Sequence, residues 1–205
     1  MFTKTIFLIF FIIFSVISLI TYFIFPSFTL IRVIAPHTAL FLISGYFLYE
    51  KNLSFTLKKL GIPGNMPSNI RYSIIGLILL FGTVIALNVI IHLLSIPELT
   101  DDGQRVTEII QMLDPLLLVF AIIGAPLTEE LFFRAVLTKR FGILPAALLF
   151  GLVHFGYGSI VQIVGTFALG IILGWIYTKT KSVLPTIIIH AVYNGLIILV
   201  IRLVL

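Results

Sequence analysis

Residues Pro115–Thr138 read PLLLVFAIIGAPLTEELFFRAVLT, an apolar run broken by two adjacent glutamates, Glu129 and Glu130, and one arginine, Arg134. The run is long enough to cross a bilayer as a helix, which takes about 20 residues. An ionised side chain at the bilayer centre costs at least ~2.5–3.5 kcal/mol, so carboxylates placed there need partners and usually a purpose. Arg134 follows Glu130 by four residues, the favourable order for an acid–base pair on one helical face. Glu129 points about 100° away around the helix and cannot share that pair equally. It is therefore the better candidate for chemistry. An ion pair that only fixes helix packing is the plainer alternative for both carboxylates.

The rest of the chain agrees with a membrane reading. Of its 205 residues 60% are hydrophobic and 10% charged, and the mean hydropathy is +1.22. Soluble domains carry about a quarter charged residues. Seven apolar segments can be drawn, at about 5–25, 30–49, 72–95, 115–138, 143–157, 160–178 and 184–204. The expected fold is all-α, a polytopic bundle of about seven transmembrane spans with no soluble domain. Residues 1–114 supply N-terminal helices and loops, and 115–205 a C-terminal core. The first run is too long for a signal-peptide core and lacks a small-x-small cleavage site before Pro26, so it is read as a retained span.

The net charge of +5 would fit nucleic-acid binding until the basic residues are located. Lys51, Lys58, Lys59 and Arg71 lie between the second and third segments, Lys139 and Arg140 after the fourth, and Lys179 and Lys181 before the last. The acidic residues Glu98, Asp101, Asp102, Glu108 and Asp114 lie between the third and fourth. Positive-inside placement makes the basic loops and the N-terminus cytoplasmic, and no nucleic-acid partner is expected. Arg32 and Arg202 fit this scheme less well. Asn52 to Leu60 carries Leu53, Leu57 and Leu60 on one face, which suits a short interfacial helix, with a plain solvated linker as the alternative.

Two further spans carry matching polar residues: His154, four after Phe150, and His190, four before Asn194. With ~1.5 Å rise per residue, Glu129 lies ~15 Å and His190 ~13 Å from their basic loops, and His154 is ~13 Å deep if Pro145 opens its helix. His37 and His92 are read as packing residues. A buried carboxylate beside an imidazole can deprotonate water, the role given to Glu129 with His154. His190 and Asn194 can donate to the oxyanion formed when water attacks a peptide carbonyl. The same Glu129, His154 and His190 could instead hold a zinc ion with one position open for water.

Several other designs are excluded. The chain has no cysteine, so thiol nucleophiles, thiolate metal sites and disulfides are absent. There is no His-Glu-x-x-His motif, Gly158-Ser159 lacks a following glycine, and no aspartate occurs in any span.

The series Glu129-Glu130-x-x-x-Arg134, Phe150-x-x-x-His154 and His190-x-x-x-Asn194 resembles the CPBP family, the CAAX protease and bacteriocin-processing (abortive-infection) membrane proteins. The link Gly174 to Thr180, followed by Ser182-Val183-Leu184-Pro185, also looks like that family's approach to its last His helix. The resemblance implies a helical bundle with a site open to the cytoplasmic side. Glu129 and His154 would activate water, His190 and Asn194 would stabilise the oxyanion or contact a metal, and Glu130, Arg134 and Phe150 would support them. It further implies residence in the cell membrane and a peptide or protein substrate, lipidated in the CAAX-type members. Some relatives serve instead as bacteriocin immunity or scaffold proteins, which is the non-catalytic alternative. A proton-coupled transporter is a third reading, which no internal repeat or pair of broken helices supports. Members often show eight spans, one more than can be drawn here.

Overall fold

The computed structural model describes residues 30–49 and 52–204 together with positions 16, 18, 20, 23 and 24. The first expected span, 5–25, lies largely outside the described residues, as do Glu50 and Lys51. The regular structure that is described is entirely helical: α1 (Leu30–Leu48), α2 (Leu53–Lys59), α3 (Met66–Leu94), α4 (Pro97–Met112), α5 (Pro115–Phe141), α6 (Ile143–Tyr157), α7 (Ile160–Thr180) and α8 (Leu184–Leu203). Five of these, α1, α3, α5, α7 and α8, are 19 to 29 residues long and apolar enough to cross a membrane. The segment drawn at 143–157 is apolar but shorter, and its last turn tightens into a 3₁₀ helix from Val153.

Local chemistry sets the boundaries. The third span begins at Met66 rather than 72, because the Asn65 side chain accepts a hydrogen bond from the Ser68 N–H and Pro67 occupies the first turn. Asp114 caps α5 in the same way, accepting from the Leu117 N–H with Pro115 behind it. Ser159 caps α7 through the Gln162 N–H. The acidic stretch expected as a loop folds as α4. Its apolar residues are too sparse for a continuous run, but Leu99, Val106 and Ile110 recur at helical spacing and turn toward the bundle.

The two ends of the bundle differ in charge. At the basic end, the Val183 N–H donates to the Leu60 carbonyl, Lys59 donates to the Phe47 carbonyl and the Arg140 guanidinium lies 4.7 Å from the Phe47 ring centre. At the acidic end, Asp102 accepts from the Ser159 hydroxyl at 2.7 Å and from the Val161 N–H at 2.8 Å, which ties α4 to the start of α7. Arg32 and Arg202, the two misfits of the charge pattern, belong to this end. Arg32 donates to the Gly156 carbonyl, and Arg202 to the carbonyls of Gln111 and Leu113 at the C-terminus of α4. Arginine side chains commonly satisfy such terminal carbonyls.

Helices α6 and α7 approach closely through small residues, the usual means of joining helices in lipid. A Cβ on Gly170 would meet the Ala147 Cα at 2.9 Å and its Cβ at 3.0 Å. Gly170→Leu should force the helices apart and cost ~1–3 kcal/mol, as overpacking generally does. The thermal unfolding midpoint in detergent should fall; an unchanged midpoint would contradict this packing.

Candidate active site

The site is built around α5, which is not a uniform α-helix. Wide π-helical turns occupy Phe120–Gly124 and Leu131–Thr138, on either side of an α-helical segment, Ala125–Glu130. Such turns are rare and often accompany functional sites. Along the second of them the helix packs against α1, α6 and α7. Each residue from Phe132 to Thr138 is at most 5% exposed.

Glu130 and Arg134 form the expected pair. The Arg134 Nε donates to Glu130 Oε2 at 2.7 Å and Nη2 to Oε1 at 3.3 Å, with both side chains fully buried. The guanidinium also lies 4.8 Å from the centre of the Phe150 ring. That ring meets His154 and His190 edge-on, at 4.9 and 5.8 Å between centroids. Phe150 thus holds three of the polar groups in place.

Hydrogen-bond partners decide which nitrogen of each imidazole carries the proton. His154 Nδ1 lies 2.7 Å from the Phe150 carbonyl, which can only accept, so Nδ1 is the donor. His190 Nδ1 lies 3.1 Å from Glu130 Oε1, a carboxylate already paired with Arg134, and donates to it. His37 Nδ1 lies 2.7 Å from Thr128 Oγ1. The Thr128 hydroxyl spends its own proton on the Gly124 and Ala125 carbonyls, so His37 again donates through Nδ1. In the neutral form of each ring Nε2 is left as the acceptor.

Glu129 is the point on which two of these rings converge. His37 Nε2 lies 3.6 Å from Oε1 and His190 Nε2 lies 3.9 Å from Oε2. Both separations exceed hydrogen-bond length. Among the described residues Glu129 Oε2 is buried with no hydrogen-bond partner.

The structure adds a neighbour to Glu129 and gives partners to His154 and Asn194. His37, read as a packing residue, is a neighbour of Glu129, whereas His154 is held by the Phe150 carbonyl. Asn194 lies one turn from His190 as expected, but its amide donates to the Ala121 carbonyl, in the first π turn, at 2.8 Å. His37 stands ~17 Å along α1 from its basic end and Glu129 ~18 Å along α5 from its own, using 1.5 Å per residue. That match of depth was the available signal for His37. His92, by contrast, is exposed near the end of α3.

His37, Glu129, His154, Tyr157, His190 and Asn194 all line one cavity of about 970 Å³. Among the described residues no three His, Asp or Glu side chains are disposed to hold a metal ion. Glu129, His154 and His190, the trio considered for zinc, share the cavity without converging on one point.

A buried carboxylate flanked by imidazoles thus lies inside a bundle of helices long and apolar enough to span a membrane, the architecture of an integral membrane protein. Residues 111–196 match the family model described as type II CAAX prenyl endopeptidase Rce1-like. This segment contains Glu129, His154, His190 and Asn194, and the family model it matches is of the kind that the motifs resemble. His37 lies outside the matched segment. Neither the curated proteins nor the solved structures gave a match.

Proposed function

We propose that the protein is an intramembrane endopeptidase that hydrolyses a peptide bond of a membrane-associated substrate, with Glu129 activating the water. The observation that carries this reading is the setting of Glu129: a buried carboxylate oxygen with no hydrogen-bond partner among the described residues, at the wall of a large cavity and between two imidazoles. Gaps of 3.6 and 3.9 Å suit a bridging water. Glu129 takes one proton as the water oxygen bonds to the carbonyl carbon. The oxyanion accepts a hydrogen bond from the remaining Asn194 N–H, and the His190 ring lies beside it in the same cavity. Collapse breaks the C–N bond, and the proton held by Glu129 passes to the leaving nitrogen. Glu130, fixed by Arg134, keeps the His190 ring oriented through Nδ1, the way a carboxylate commonly positions a working imidazole.

His37 acts through Glu129, with its ring fixed by Thr128 so that Nε2 stands 3.6 Å from the second carboxylate oxygen. His37→Ala should lower the cleavage rate about tenfold, equivalent to ~1.4 kcal/mol of transition-state stabilisation. His37→Asn, which retains a donor for Thr128 at the Nδ1 position, should recover part of it. Wild-type rates in both variants would remove His37 from the site.

The reading is tested with purified protein in lipid micelles and a prenylated peptide ending in a CAAX sequence. Release of the three terminal residues would establish a CAAX-type substrate. The water is placed on Glu129 because its buried Oε2 has no hydrogen-bond partner among the described residues and the side chain lines the cavity. Stoichiometric zinc retained through purification, with cleavage lost on chelation and restored by zinc, would transfer that water to an ion held by Glu129, His154 and His190.

A further inference from the structure

The cavity is not centred on the bundle. From Glu129 it runs toward the acidic end, along the first half of α1 (Val33, His37) and the last turns of α3 (Asn88, His92), and reaches the underside of α4 at Gly103 and Thr107. In the opposite direction the same carboxylates are closed off by the solid packing of Phe132 to Thr138, none more than 5% exposed. Among the described residues, no residue of the basic-end segments 58–66, 139–142 or 179–185 lines the cavity.

Charge says which side this is. Lys58, Lys59, Arg71, Lys139, Arg140, Lys179 and Lys181 gather at the closed end. The open end carries Glu98, Asp101, Asp102, Glu108 and Asp114, and its arginines Arg32, Arg105 and Arg202 donate to backbone carbonyls of Gly156, Gly158, Gln111 and Leu113. Short loops rich in lysine and arginine remain cytoplasmic, while acidic residues have little effect on orientation. The two expectations drawn from the sequence therefore part company: if the basic loops are cytoplasmic, the chamber does not face the cytoplasm.

We infer that the chamber opens on the side of the membrane opposite the cytoplasm, under α4, and that its substrate is a peptide segment presented at that outer face. The inference rests on the peptidase reading for what enters, but not for where the opening lies. Helix α4 forms the roof. Its apolar residues Leu99, Val106 and Ile110 line the chamber, and Glu98, Asp101 and Glu108 are exposed on its outer side. Its anchors, Asp102 to Ser159 and Val161 and Arg105 to Gly158, hold it beside the 3₁₀ turn that carries His154.

The absence of cysteine makes the test direct, since each introduced thiol is the sole one in the chain. Met112→Cys reports the acidic end, Thr107→Cys the chamber and Ser54→Cys the basic end. Intact cells are treated with a membrane-impermeant thiol reagent, and labelling is read as a mass shift before and after permeabilisation. Met112→Cys and Thr107→Cys should label in intact cells, and Ser54→Cys only once the membrane is opened. Labelling of Ser54→Cys in intact cells with protection of Met112→Cys would overturn the orientation. Protection of Thr107→Cys while Met112→Cys reacts would overturn the opening. None of these outcomes depends on catalysis, so a protein that labels as expected but cleaves nothing would defeat the peptidase reading and leave the opening where it is.

Discussion

Glu129→Gln should lower the rate of peptide hydrolysis by about 10³-fold while leaving the bundle intact. The size follows from general-base catalysis, which typically contributes 10²–10⁴-fold. Glutamine keeps the shape and the volume but cannot accept the water's proton. Stability should not fall, because Glu129 Oε2 has no hydrogen-bond partner among the described residues and its carboxylate contributes no bonded pair comparable to that of Glu130. Substitution of such a group by a neutral amide removes a buried charge rather than a contact. Cleavage rate and thermal unfolding measured on the same preparation separate the two effects. Loss of both together would indicate a packing role, and retention of both would favour the scaffold alternative.

Arg134→Met should have the opposite profile, a large loss of folded protein. Arg134 and Glu130 are both fully buried and joined by two hydrogen bonds. Removing one member of a buried pair typically costs 3–5 kcal/mol, because the other charge is stranded. That is a large share of the ~5–15 kcal/mol that holds a typical domain together. His190 would suffer as well, since its Nδ1 donates to the same carboxylate. Arg134→Lys should rescue little, since an ammonium cannot reproduce the planar two-bond geometry. The double change Glu130→Gln with Arg134→Met should recover much of the yield by removing the stranded charge. An Arg134→Met protein with the wild-type yield and unfolding midpoint would show that the pair is dispensable for folding.

Much of this arrangement is legible in the sequence, for reasons that can be stated residue by residue. The span over 115–138 and the pairing of Glu130 with Arg134 follow from hydropathy and a four-residue spacing, both local properties. The separation of Glu129 from that pair follows from helix geometry alone. Non-local contacts were harder to read. His37 has no motif around it and lies outside the segment that carries the spacings, so only its depth could have linked it to Glu129. The Asn194 amide is spent on the Ala121 carbonyl in a π turn, and no pattern in 115–124 announces that turn. Helix α4 reads as a loop in the sequence because charge masks a sparse amphipathic period. The direction in which the cavity opens depends on which side of Glu129 is packed, and residue order does not carry that information.

The most direct test of the central claim is a map of newly created protein termini in membranes that contain either the wild-type protein or Glu129→Gln at equal abundance. The account predicts at least one terminus, from a membrane-associated peptide or protein, that is present with the wild type and missing with the variant. Identical sets of termini from the two membranes, with both proteins folded, would contradict it.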